Sequence, residues 1–404
     1  MKKILLTVWL TSMALLVQAQ LYDPSAFDKK YDGLLKHPGV QIESAEAINQ
    51  MYNYKFYDAD KEFKWLRIRY PNHPMPTFLM GLAEWWKIVP NTDVTDYDDR
   101  CLMYMDSTIT LAEKLYDESE NKLEPAFFLA ASYAFKSRLY SERKKWAKAT
   151  FAGKNALKYF EKCKGNADFS PELLFGDGMY NYYAQWIPEN YPLLKPILIF
   201  FPKGNKANGI KELEKTANTA FYTRVEARYF LVQIYSMENQ YDKAYELAKY
   251  MNEQYPDNPF FERYYARSAF VTGRLNEAER ISKDMLEKIS RSQSGYEAVG
   301  GRTAAYILAY INHLFYKNTA EAKKYYQQAI DFAKQTNATN AGYYWSSVLG
   351  LAKIATEEKN YDLAQTYFKE VIDKAERKSS QYKEAKKALD DAKKARREER
   401  RKRG

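Results

Sequence analysis

Apolar positions along this chain recur at helical spacing almost from end to end, and the spacing itself repeats. In "ENQYDKAYELAKYMNEQYPDNPFF", residues 238–261, Ala244, Ala248 and Met251 share one face of a helix that Pro256 must end. A shift of 34 residues places Ala278 of "LNEA" on Ala244, with the turn "TGR" just before it. Upstream, Leu231 and Tyr235 mark a first helix that pairs with the one carrying Ala244. The pattern returns in "KNTAEAKKYYQQAI" with Ala322, Tyr326 and Ala329, and in "KNYDLAQTYFKEVI" with Ala364, Phe368 and Val371. A fainter copy near the front, "YDADKEFKWLRIRYPNHP", offers Ala59, Phe63, Leu66 and Pro71, followed by Met80 and Gly81 in "FLMGLAEWW". "FLAASYAFKSRLY" with "WAKATFAGKNALKYF" predicts another helix pair, and "GNKANGIKELEKTAN" a helix with Gly209 in the small position and Leu213 in the large one.

A small residue followed four positions later by a bulky one has a direct physical use. The small side chain lets two antiparallel helices approach closely, and the bulky one fills the space toward the next pair. Neither helix can bury its apolar face alone, so the pairs must stack. The register resembles that of the tetratricopeptide (TPR) repeat family, clearly over residues 224–374 and more faintly over 45–220, in the manner of exported bacterial members with degenerate repeats. It departs from the motif in lacking tryptophan at the first position of the well-matched copies, and in Met251 and Met285 where alanine is usual. The resemblance implies an all-α fold, a right-handed superhelical solenoid of antiparallel helical hairpins.

Four regions are expected. Residues 1–19 read as a signal peptide: Lys2 and Lys3 precede an apolar run over 4–17, and small residues at Val17 and Ala19 suit cleavage before Gln20. That run is about 14 residues, short of the roughly 20 that span a bilayer. Residues 20–205 are degenerate repeats, 206–378 regular ones, and 379–404 a capping helix with a basic tail. Within the second region, residues 168–206 lose the register. Pro188, Pro192, Pro196 and Pro202 argue against a long helix there, "GDGMYNYY" reads as a turn, and "LLKPILIFF" reads as a buried plug, with an exposed contact as the alternative.

Charge changes the picture little. From Lys374 onward 14 Lys/Arg face 6 Asp/Glu, and with Lys2 and Lys3 that surplus accounts for the whole net charge of +10. The body is neutral. Tyr382, Ala385, Ala388, Leu389 and Ala392 recur at helical spacing and would cap the last repeat, whereas beyond Ala395 nothing apolar is left to bury and fraying is expected. Attraction of this end to anionic lipid headgroups is the functional alternative to a plain solvated terminus; nucleic acid is not expected as a partner of an exported chain without aromatics in its basic run.

Catalytic chemistry is sparse. Three scattered histidines, His37, His73 and His313, form no metal-ligand pair, and Cys101 and Cys163 share no zinc spacing; whether they bridge is left open. Residues 93–100, "DVTDYDDR", lack the central glycine and closing glutamate of a calcium loop. No cofactor, metal or enzymatic activity is expected. The expected function is instead a scaffold or adaptor in the bacterial envelope, holding a protein or peptide ligand on its concave face. On the first helices the outward positions are Glu226, Tyr229, Gln233 and Ser236, then Phe260, Arg263, Arg267 and Phe270. Arg263 and Arg267 stand one turn apart and would either grip an acidic segment together or pair internally with Glu226 or Glu262. The Lys/Asn set with which family members clamp a terminal carboxylate is not reproduced. The alternative is a glycan- or nutrient-capture protein with its site in the loops, for which Trp186 and nearby tyrosines would have to present open ring faces.

Overall fold

The computed structural model describes residues 33–195, 202–340 and 342–403. Among the described residues there is no strand. The helices form eight successive antiparallel pairs: α1 Pro38–Tyr52 with α2 Phe56–Arg69, α3 Pro74–Ile88 with α4 Asp98–Glu118, α5 Leu123–Glu142 with α6 Trp146–Cys163, and α7 Leu173–Asn190 with α8 Lys206–Thr219. They continue with α9 Arg224–Met237 and α10 Tyr241–Gln254, α11 Pro259–Val271 and α12 Leu275–Ser290, α13 Ala298–Tyr310 and α14 Thr319–Gln335, and α15 Gly342–Glu357 and α16 Tyr361–Lys374. A last helix, α17 Ser380–Arg403, lies on α16 and α15. This is a TPR-like superhelical solenoid. The expected signal segment, residues 1–19, lies outside the described residues, and no helix among them is long and apolar enough to cross a membrane.

The small-then-bulky rule holds wherever the sequence shows it. Ala59, Ala244, Ala278, Ala322 and Ala364 are buried against their partner helices, as are Phe63, Tyr326 and Phe368 one turn on. Met251 and Met285 are buried as well, flexible side chains filling what alanine would leave open. Punctuation repeats too. Proline occupies the start of α1, α3 and α11, where a missing N–H costs nothing, and Asn205, Asn258, Asn318 and Asn360 cap the helices that follow them. Within most pairs the turn passes through one left-handed residue: Tyr54, Lys144, Asn239, Gly273, Lys317 and Lys359 all have φ between 54° and 76°. In five of these the next amide reaches back to close the first helix, as Gln240 N does to Tyr235 O at 2.7 Å.

The segment expected to be irregular is in large part a helix. α7 runs through "GDGMYNYY" and carries Pro188 in its last turn, so the bond to residue 184 that proline cannot make is lost only there and the helix ends two residues later. Its glycines serve packing rather than turning. A Cβ on Gly178 would come 2.8 Å from Leu213 Cγ, and one on Gly209 would come 2.5 Å from the backbone N of Tyr182. α7 and α8 therefore cross at a glycine–glycine contact, and they pair across the expected boundary between 205 and 206. The plug expected at 193–201 is corrected at its start, because Leu193 is 93% exposed; residues 196–201 lie outside the described residues. The tail also differs. α17 buries Ala385, Leu389 and Ala392 as expected of a cap, but the helix continues beyond Ala395 to Arg403, with Arg396 paired to Asp362 at 2.6 Å and Glu399 near Lys359 at 4.0 Å. Charge takes over where apolar burial ends. Cys101 and Cys163 are free and buried, each thiol facing a backbone carbonyl and pushed up to about 12 by burial.

One feature has no trace in the repeat register: the coil closes on itself. The end of α1 meets the turn between α10 and α11, where Asn258 Nδ2 donates to Tyr52 O at 2.7 Å and Asp257 N donates to Asn53 Oδ1 at 3.0 Å. The turn after α3 meets later pairs, with Arg263 Nη1 donating to Pro90 O at 2.9 Å and Asn91 Nδ2 to Glu297 Oε2 at 2.7 Å. Trp86 completes the seam, packed edge-on against Tyr229, Phe260 and Phe261.

Candidate functional site

Closure decides which inner-face residues remain available. Glu226, expected to face outward, is corrected: it is 6% exposed, accepting from Trp86 Nε1 at 2.7 Å and Tyr52 OH at 3.1 Å. Burial raises its pKa against the opposing pull of those bonds and of Arg138. Tyr229 is 3% exposed and accepts from Arg138 Nη2 at 2.7 Å. Phe260 is buried beside it. These side chains leave their helices on the side that the register predicts, but residues of α1, α3 and α5 fill the space they face. Gln233 and Ser236 are half-buried and bond to their own helix.

Arg263, Arg267 and Phe270 have different fates. Arg263 joins the seam through Pro90 and lies over the Phe260 ring at 5.3 Å. Neither internal acid expected as its partner takes it: Glu226 is held as above, and Glu262 pairs with Lys288 at 2.8 Å. Arg267, one turn on, is exposed. Phe270 packs edge-on against Tyr310 at 4.9 Å and Tyr306 at 6.1 Å, and Tyr306 lies 5.0 Å from Tyr343. Beyond the seam, the inner face of α11, α13 and α15 thus carries an arginine and a run of half-buried aromatic rings.

At the inner end of the seam lies a cavity of about 280 Å³. Its cationic lining comes from three helices: Arg138 of α5, Arg263 of α11 and Arg302 of α13. Val89, Pro90, Phe260 and Val299 supply apolar wall, and Asn91, Thr92 and Thr336 polar wall. Arg138 is well satisfied, its guanidinium 4.7 Å from the Trp85 ring centre; burial works against its charge, but Tyr229 and Glu226 hold its pKa above the ordinary value. Arg302 is not satisfied. Its Nε and Nη1 are buried without a hydrogen-bond partner. Burial lowers the pKa of both Arg263 and Arg302, and the charge of Arg302 adds to the effect on Arg263.

The register reached Tyr229 and Arg263 but not Arg138 or Arg302. Arg302 was within reach, since it is the fifth residue of α13 as Arg263 is of α11. The opposite wall, residues 89–93, was not, because its position depends on Arg143. That side chain holds the turn between α3 and α4 through Asp98, at 2.5 and 2.8 Å, Val94 O at 2.6 Å and Thr92 O. The acidic stretch at 93–100 is therefore tied to an arginine, and no metal-binding group of His, Cys, Asp or Glu occurs among the described residues. Trp186 is half-buried, edge-on to Tyr183 and Tyr191 at 5.9 Å each.

No family model and no curated protein matches this chain. Among solved structures it is similar to the crystal structure of yeast Tom70, with a TM-score of 0.37 and 15% identity, over 80% of this chain and 64% of that one. The chain thus spans less than two thirds of that protein's length.

Proposed function

We propose that the protein is a non-catalytic scaffold of the bacterial envelope, which holds a protein segment on the inner face of its later helix pairs. The observation that carries this reading is the surface left open by closure: exposed Arg267 beside the half-buried rings of Phe270, Tyr306, Tyr310 and Tyr343 on three consecutive first helices. Flat rings at roughly one-unit intervals suit an extended chain, and an exposed guanidinium at the rim suits an acidic residue on it. Export is supported by the Lys2–Lys3, apolar and small-residue order of the first 19 residues, and the basic face of α17 would add attraction to anionic lipid.

Site-specific photo-crosslinking in native envelopes tests the reading. A crosslinker at Arg267 should capture one discrete protein, and the same group at Glu287, exposed on α12 of the outer layer, should not. Equal capture at both positions would refute the scaffold role. Absence of any adduct, together with saccharide binding by the purified protein, would favour the glycan-capture alternative. N-terminal sequencing of the envelope-derived protein should begin at Gln20.

A further inference from the structure

We infer that the cavity between Arg263, Arg302 and the turn at 89–93 is a binding site for a small oxyanion, a carboxylate or phosphate carried by a compact molecule. The inference goes beyond the scaffold reading and does not depend on it. Two half-buried arginines share one cavity, and the fold leaves Nε and Nη1 of Arg302, both shut off from solvent, without an acceptor. Donors shut off from solvent with unmade hydrogen bonds cost free energy, unless something that is not the protein completes them. The carboxylates on hand do not. Glu226 is committed to Trp86 and Tyr52, and it faces Arg138 rather than Arg302. Asp93, in the lining, is exposed and attracts Arg302 through space without a hydrogen bond to it, which offsets one of the three guanidinium charges. The cavity is therefore left with a surplus of positive charge.

Shape narrows the class of ligand. A cavity of about 280 Å³ falls just under the roughly 300–1,000 Å³ of sites for drug-sized ligands, so a small molecule fits and an extended peptide does not. The guanidinium fork matches two oxygens of a carboxylate or phosphate, and the wall of Val89, Pro90, Phe260 and Val299 would take a short carbon body. One wall belongs to the turn after α3 and the other to α11 and α13, so an occupant ties the two sides of the seam together. Binding to the closed state alone must then stabilise it by mass action.

Thermal unfolding of the full-length protein tests this, with inorganic phosphate in one arm, benzoate in another, and chloride at matched ionic strength as reference. A saturable rise in Tm with phosphate or benzoate, beyond chloride, is expected; the arm that responds identifies the oxyanion. Arg302→Gln should weaken that response about tenfold or more, the loss of a charge-assisted pair of bonds, while raising the Tm of the ligand-free protein because an uncompensated charge has gone. Val299→Phe should block the response with every arginine in place, and Lys283→Gln, exposed on α12, should not change it. Three results would each overturn the assignment: a response no larger than that to chloride, an Arg302→Gln response equal to wild type, or a ligand-free Arg302→Gln less stable than wild type. Protection by an extended poly-glutamate peptide but by neither small anion would overturn it as well.

Discussion

Gly209 and Gly81 both stand where a neighbouring helix comes close, yet their surroundings assign them opposite sensitivities. A Cβ at Gly209 would meet backbone, Tyr182 N at 2.5 Å and Gly178 O at 2.7 Å, whereas one at Gly81 meets the flexible end of Met105 at 2.8 Å. Alanine in a helix gains roughly 1 kcal/mol over glycine by propensity, against about 1–3 kcal/mol for overpacking. Gly209→Ala should therefore lose stability in urea unfolding and Gly81→Ala should be near neutral; equal losses would mean that the glycine–glycine crossing of α7 and α8 is not the constraint. Glu262 offers a second test at this scale. Burial, and then the neighbouring Asp284, push its pKa up to about 7 from an ordinary 4.5, against the pull of Lys288 and Tyr296. Between those values the folded chain keeps a proton that the unfolded chain has released. Its contribution is therefore fully present below about pH 4.5 and is lost as pH rises through about 7. Glu262→Gln should flatten the fall in unfolding free energy between about pH 5 and about pH 7; an unchanged slope would assign that fall to other groups.

At the scale of elements, the repeat is legible where one residue type does one job and hidden where a residue does two. Asn258 caps α11, its Oδ1 accepting from Phe260 N at 3.0 Å and Phe261 N at 3.2 Å, and that much any Asn before a Pro-initiated helix announces. Its Nδ2 meanwhile donates to Tyr52 O at 2.7 Å, across 206 residues of sequence, which nothing local announces. Asn258→Asp separates the two roles, because aspartate caps as well as asparagine but presents an acceptor to a carbonyl. A loss of roughly 1–3 kcal/mol is expected from the unmade buried bond, and a neutral result would show that the seam contributes little. Helix α7 is hidden from a local reading for a related reason. Glycine and proline carry turn meaning in a local reading, and here the glycines answer to a neighbouring helix instead. Glu172 is similar: it looks like an ordinary acid, yet it accepts from the backbone N–H groups of Phe221, Tyr222 and Thr223 and so anchors the start of α9 to that of α7.

Over the whole molecule the cores are unequal. The largest runs from Leu34 to Leu173 and takes in Tyr229, Met251 and Phe261 across the seam, whereas the pairs from Ala309 to Ala392 form a separate cluster that α17 covers from one side. Nearest-neighbour stacking alone would let stability decline gradually toward both ends. Closure breaks that symmetry by binding the N-terminal pairs to the middle. Hydrogen exchange should therefore show slower amides in α1 and α3 than in α15 and α16, although α1 is as close to one end of the array as α16 is to the other. Equal protection at the two ends would argue against a stable seam in solution. The candidate site belongs to this scale too, because its walls come from pairs far apart in the chain.

What the sequence by itself determined is the architecture: recurrent alanine and glycine with a bulky side chain one turn on, proline and asparagine at helix starts, and apolar residues on the inner face of a final basic helix. Each is a local preference read at short range, and short-range preferences survive into the fold unless a neighbour overrides them. Tertiary structure alone decided that the coil returns to meet itself, that Glu226 and Tyr229 lose their view of solvent, and that Arg138, Arg263 and Arg302 gather around one cavity. These depend on the accumulated rotation between successive pairs, a small angle at each step that no single residue encodes and that only the assembled stack adds up.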